Sequence, residues 1–192
     1  MKRTGLAPVF FVCLLSTACS TIPASVKDYG TLSGPLELVD TPFFPQQAYQ
    51  CGPAALMTVL TESGVDTSVE QLVDQVYLPA RQGSLQSEIL AASRAAERLP
   101  YVIDTSMSAI VAELAAGRPV LILQNLSVGW APLWHYAVVV GVDPHNDEIV
   151  LRSGTDARRI MRTAVFLRTW RRSDYWGIVT LRPGELPARP DR

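Results

Sequence analysis

Cys51 stands directly before Gly52 and Pro53, at the mouth of an apolar helical pattern. Unpaired N–H groups and the positive end of a helix dipole favour an anion at such a position, so the sequence predicts a thiol that ionises easily and attacks as thiolate. Gly52 leaves room for a carbonyl to approach. The backbone N–H of Cys51 can meet the oxygen that turns negative during attack, and a side-chain amide from the incoming loop, Gln46 or else Gln47, is the expected second donor. A thiol nucleophile also needs a base, and the chain offers two histidines. His145 falls in the turn 143–147, where a solvent-exposed imidazole is the ordinary expectation. His135 instead follows Trp134 and precedes the apolar run Tyr136-Ala-Val-Val-Val-Gly141, which puts an ionisable ring at a sheet edge beside an aromatic. On residue types alone, Cys51 as a small buried hydrophobe and His135 as a satisfied core histidine stay open.

A third group would orient the base. With a turn centred on 143–146, His135 at the start of one strand lies opposite the end of the next, close to Ser153. Alternation puts Ile149, Leu151 and Ser153 on one face, so the Ser153 hydroxyl is expected to hydrogen-bond the imidazole and fix its tautomer. It has no charge with which to stabilise an imidazolium. Asp156, just beyond the strand, is the alternative orienter.

These groups need elements to hold them. Pro53 in the first turn, apolar residues at 55, 56, 59 and 60 and the stop at Gly64 predict a helix over 52–63. Ser68 and Gln71 have capping-box spacing for a second helix. A third is predicted over 84–98, starting at Ser84, and a fourth over 108–116, closed by Gly117 and Pro119. After Pro119 the period changes, and 120–126, 136–142, 148–153 and 177–181 read as strands, with a short helix after Thr163 carrying Phe166, Leu167 and Trp170. Helices first and sheet afterwards make an α+β domain, an N-terminal helical lobe packed on a C-terminal antiparallel sheet. Residues 19–41, rich in Ser, Thr, Gly and Pro, are expected to form a tether. The domain then spans 42–188, followed by a tail over 189–192.

The N-terminus reads as an export signal over 1–18: Lys2 and Arg3, an apolar run over 6–15 too short to cross a bilayer, then Ser16, Thr17 and Ala18 before Cys19. Its ending resembles a bacterial lipobox, which implies cleavage before Cys19 and diacylglycerol and palmitate on that residue. The mature chain is then anchored in the cell envelope, with Ser20 in second place implying the outer membrane, facing the periplasm. Of three cysteines, Cys13 leaves with the leader and Cys19 takes the lipid, so Cys51 remains alone.

With 48% hydrophobic and 18% charged residues the composition is that of a globular domain. Charge is unevenly placed. Residues 19–151 hold 5 basic against 14 acidic side chains, whereas 152–192 hold 10 arginines against 4 acids, which predicts a basic face near the C-terminal strands. A net charge of -1 on an exported chain argues against a nucleic-acid partner. The absence of a GxxxxGK[ST] loop argues against a nucleotide, and neither a metal nor another cofactor is called for.

PQQAYQCGPAALMTVL, followed far downstream by WHYAVVVGVD, resembles the C39-like branch of the papain-type cysteine peptidases, in which Gln, Cys and His occur in that order. The resemblance runs over 42–187, and LRSG at 151–154 with WGIVTLRPGELPA at 176–188 is similar to a lipoprotein subgroup of that branch. It implies a papain-like fold, a peptide or protein substrate, and an acyl-enzyme resolved by water. It puts the nucleophile on Cys51, the base on His135, and the oxyanion glutamine on Gln46 with Gln47 as second choice. In the peptidase domains of bacteriocin exporters an aspartate orients the histidine; Ser153 stands about where that acid belongs, which sets this chain apart from double-glycine leader peptidases. The CGP opening also resembles phytochelatin synthases, so an acyltransferase is the enzymatic alternative. A catalytically silent peptide-binding or maturation factor on the same fold is another.

Overall fold

The computed structural model describes residues 22–190, so the leader and Cys19 lie outside the described residues. Val, Ile and Leu dominate Val120–Asn125 (β3), Trp134–Asp143 (β4), Glu148–Ser153 (β5) and Gly177–Leu181 (β7), and these strands are buried almost throughout. With Leu99–Val102 (β2) and Asp156–Arg162 (β6) they form an antiparallel sheet in the order β2-β7-β3-β4-β5-β6. A short strand, Leu36–Glu37 (β1), pairs with the far end of β4 at Gly141 and Val142.

Strands buried on both sides require a helical layer on each face. Cys51–Glu62 (α1), Val69–Val76 (α2) and Gln86–Ala95 (α3) supply one, where Leu56, Leu60, Leu72 and Ile89 meet Leu121, Val138, Val140 and Val150. Met107–Ala115 (α4) and Thr163–Arg171 (α5) supply the other, where Ile110, Leu114, Phe166 and Trp170 meet Ile122, Ala137, Val139 and Leu151. The α+β reading therefore holds, with helices covering the sheet on both faces. Along β4, side chains alternate between the two cores until a bulge between Val139 and Gly141, after which Val142 rejoins the core of Val139.

Local signals place several helix ends. Ser68 accepts from the Gln71 N–H while the Gln71 side chain accepts from the Ser68 N–H, completing the capping box of α2. Ser106 rather than Ser108 caps α4, accepting from the Ala109 N–H at 3.1 Å. α3 begins at Gln86, two residues beyond the expected Ser84. Strands β2 and β6 are absent from the sequence reading. Both lie at sheet edges and are largely exposed, so neither needs the apolar alternation that marks the inner strands, and β2 contains Pro100.

The expected tether over 19–41 is corrected from residue 22 onward. Val26 is buried in the core beneath α4 and α5, and the Tyr29 hydroxyl donates to Thr163 Oγ1 at 2.9 Å. Arg152, buried in β5, donates to the carbonyls of Val39 at 2.9 Å, Thr41 at 3.0 and 3.1 Å and Ala157 at 2.6 Å. Turn-rich composition here serves a path pinned along the sheet rather than a loose linker.

Candidate active site

Helix α1 opens at Cys51 itself, with Gln50 as its N-cap and no side-chain capping bond. The backbone N–H groups of Tyr136, Gly52 and Cys51 favour the thiolate, but burial outweighs them and pushes the thiol pKa up from its ordinary value. This corrects the expectation of an easily ionised thiol: desolvation by the surrounding fold exceeds what the helix terminus contributes. Gly52 also has a different reason from the one expected. A Cβ there would lie 2.3 Å from Ser84 Oγ and 2.6 Å from Ser84 Cβ, so only glycine lets the segment before α3 press against α1.

His135 sits on β4 opposite Gln124. Its Nε2 and Ser153 Oγ are 2.8 Å apart, as the alternation of the β4–β5 hairpin predicts. That contact occupies Nε2 and leaves Nδ1 as the ring nitrogen for other chemistry. Burial, and then the positive charge of Arg159 on β6, lower the His135 pKa from 6.5 to about 4, so the imidazole rests neutral at physiological pH. Gln46 is tied on two sides: its backbone N–H donates to the Gly154 carbonyl at 3.0 Å, and its Nε2 donates to the Tyr136 carbonyl at a long 3.5 Å.

Gln46, Cys51 and His135 line one cleft of about 800 Å³, walled by Leu133, Trp134, Tyr136 and Trp176. Gln47 is exposed and lies outside that lining. Asp156 is exposed at the start of β6, paired across the hairpin with Ser153 and likewise outside the cleft. His145 is exposed in its turn, as expected, its N–H donating to Asp143 Oδ1 at 2.9 Å.

Three further residues bear on the cleft without a catalytic role in the sequence reading. Tyr136 packs edge-on against Trp176 at 6.0 Å and its hydroxyl donates to the Ser84 carbonyl at 3.4 Å; burial and the nearby Cys51 raise its pKa. Ser84 holds a buried hydroxyl with no partner. Arg159 bears on the imidazole from the next strand but one. Tyr136 was legible in principle, since it alternates with His135 and must face the opposite core. Ser84 and Arg159 had no local signal.

Chemically, the cleft brings together a thiol, a neutral imidazole anchored on a hydroxyl, and an amide donor held by a bond weak enough for a substrate oxygen to displace. That set suits acyl transfer through sulfur. Residues 38–176 match the model of the Peptidase_C39 like family. Among solved structures, the chain is similar to a Bacillus anthracis protein described as a C39-like peptidase (TM-score 0.61, 14% identity, covering 77% of this chain and 98% of that one). It is similar to the peptidase domain of Streptococcus ComA, a bifunctional ABC transporter involved in a quorum-sensing pathway (TM-score 0.57, 19% identity, 74% and 98% covered). A third is a double glycine motif protease from an AMS/PCAT transporter in complex with the leader peptide (TM-score 0.56, 17% identity, 78% and 98% covered). At these identities the likeness shows the shared fold, the papain-like arrangement of helices and antiparallel sheet. No curated protein sequence matches the chain.

Proposed function

The chain belongs to the Peptidase_C39 like family, and from that premise we propose that it is a cysteine peptidase hydrolysing a peptide or amide bond through a thioester on Cys51. The observation that carries this reading is the convergence of Gln46, Cys51 and the Ser153-bound His135 on a single cleft. Both reacting groups rest uncharged, so the thiol proton passes from Sγ to His135 Nδ1 as sulfur attacks the carbonyl carbon, while Nε2–H donates to Ser153. The Cys51 N–H and the Gln46 amide then meet the oxyanion. Collapse of the tetrahedral species expels the amine, which takes the proton from Nδ1. Water, deprotonated by the same nitrogen, attacks the thioester and regenerates the thiol. A solved neighbour held with a leader peptide supports a peptide as the occupant of the cleft.

In this reading Cys51→Ala and His135→Ala each remove nearly all turnover, and the double change adds little, because the two act as a unit. If His135→Ala leaves turnover intact, the assignment fails. We also place the chain in the cell envelope through lipid on Cys19, a reading supported by the leader motif; Cys19→Ala protein that still fractionates with membranes after a salt wash would contradict it. A second reading, a catalytically silent peptide-binding factor, is favoured by one observation: the imidazole has an uncharged hydroxyl and the charge of Arg159 for neighbours instead of a carboxylate. Trapping of a thioester on Cys51 with an activated peptide ester separates the two. An enzyme forms it at a rate that falls in His135→Ala, whereas a silent clamp forms none.

A further inference from the structure

Strands β3 and β4 are joined by residues 126–133, Leu-Ser-Val-Gly-Trp-Ala-Pro-Leu, without a charged side chain. The loop is closed at its neck. The Leu126 N–H donates to the Leu133 carbonyl at 2.9 Å, and Asn125 Oδ1 accepts from the N–H groups of Ser127 at 3.1 Å and Leu133 at 3.0 Å. Arg172, just past α5, donates to the Ser127 carbonyl from outside. The feet of the loop, Pro132 and Leu133, belong to the cleft wall, but its tip does not: Val128 is 103% and Trp130 98% exposed, and neither lines the cleft. The pinned neck holds these apolar side chains clear of the domain, so neither the fold nor the cleft accounts for them.

We propose that this tip docks the domain on an anionic phospholipid surface, with Val128 and Trp130 entering the headgroup region and Arg172 at the neck meeting lipid phosphates. An indole is at home at a membrane–water interface, where its apolar body is buried and its N–H stays wet. The knob is narrow. A stable protein partner needs roughly 800 Å² from each side, far more than such a tip presents, whereas a bilayer admits a narrow apolar wedge by depth. Charge agrees as well: Arg172 stands at the neck and Arg81 lines the same cleft, against the single acid Asp174 there. Among the described residues no helix is long and apolar enough to cross a membrane, so attachment by this part of the chain is peripheral. The chain preceding residue 22 contains an apolar run and the expected lipid-bearing Cys19; a domain held that way meets the bilayer at high effective concentration, and weak insertion suffices. Docking here would set the mouth of the cleft beside the bilayer.

The test uses the full chain on vesicles of phosphatidylethanolamine and phosphatidylglycerol with brominated acyl chains. The wild-type fluorescence minus that of Trp130→Phe isolates the Trp130 signal. That component is expected to be blue-shifted and quenched about twofold or more by the bromolipid. Quenching is expected to weaken on phosphatidylcholine alone and to vanish in Val128→Asp, whose far-ultraviolet circular dichroism stays that of the wild type. A Trp130 component that is untouched by bromolipid yet fully quenched by aqueous iodide overturns the proposal, as does equal bromolipid quenching of wild type and Trp130→Phe. Iodoacetamide labelling of Cys51 in the same samples reports on the site separately, so loss of docking and failure of the peptidase reading are distinguishable.

Discussion

His135 Nε2 and Ser153 Oγ lie 2.8 Å apart across the neighbouring strands β4 and β5. A hydroxyl there fixes the ring's direction and tautomer but adds no charge to offset an imidazolium. Replacing Ser153 with alanine is expected to lower kcat about tenfold, the effect of losing about 1.4 kcal/mol from one neutral hydrogen bond. Ser153→Asp keeps or raises kcat, because a carboxylate holds the ring and stabilises its protonated form. Steady-state kinetics on a peptide substrate decide it: a silent Ser153→Ala would remove Ser153 from the site.

Acid should destabilise the fold through His135. Its pKa falls from 6.5 to about 4 on folding, so between those values the unfolded chain binds a proton that the folded chain refuses. Stability from this group is therefore complete above pH 6.5 and declines as the pH drops towards 4, by up to an amount on the order of 3 kcal/mol. Urea midpoints compared at pH 7 and pH 4.5 test it. His135→Gln should flatten that part of the profile, and Arg159→Gln should narrow the window by removing a like charge.

A thiol raised above its ordinary 9.0 makes a further prediction. Iodoacetamide labelling of Cys51 should climb about tenfold per pH unit through neutrality, following the thiolate fraction. A preformed thiolate–imidazolium pair would instead give a plateau across neutral pH, and observing one would overturn the uncharged resting state.

Gly52 and Ser84 form a steric pair. Gly52→Ala is expected to destabilise the domain by about 1–3 kcal/mol, because the new methyl overlaps the Ser84 side chain. Ser84→Gly in the same protein should restore much of the loss, whereas Ser84→Ala should not, since Ser84 Cβ is itself only 2.6 Å from the added carbon. Denaturation midpoints of the singles and the double provide the cycle.

What the sequence disclosed follows the range of the forces involved. Pro53 and Gly64 bracket α1 locally, and the two-residue period of β4 and β5 about a short turn is enough to set His135 against Ser153. The thiol's burial was not legible, because Cys51 packs against a core that includes the sheet residues Leu123, Tyr136 and Val138, which are distant in sequence. Strand β6 reads Asp-Ala-Arg-Arg-Ile-Met-Arg, and only the edge of a sheet tolerates such a pattern. The stretch leading to β1 looked like linker because its partners, Arg152 and the end of β4, lie more than a hundred positions away.

The Arg152 contacts bear on how the molecule carries load. Its guanidinium joins Val39, Thr41 and Ala157, just upstream of the loop that delivers Gln46 and next in sequence to Ser153. Tension applied to the N-terminal segment is met first by buried Val26 and the Tyr29–Thr163 bond, then by the β1–β4 pairing and last by this buried cation. All must rupture before the pull reaches the loop holding Gln46. The same guanidinium thus acts as a mechanical brace, isolating the geometry of the cleft from forces along the chain that leads into it.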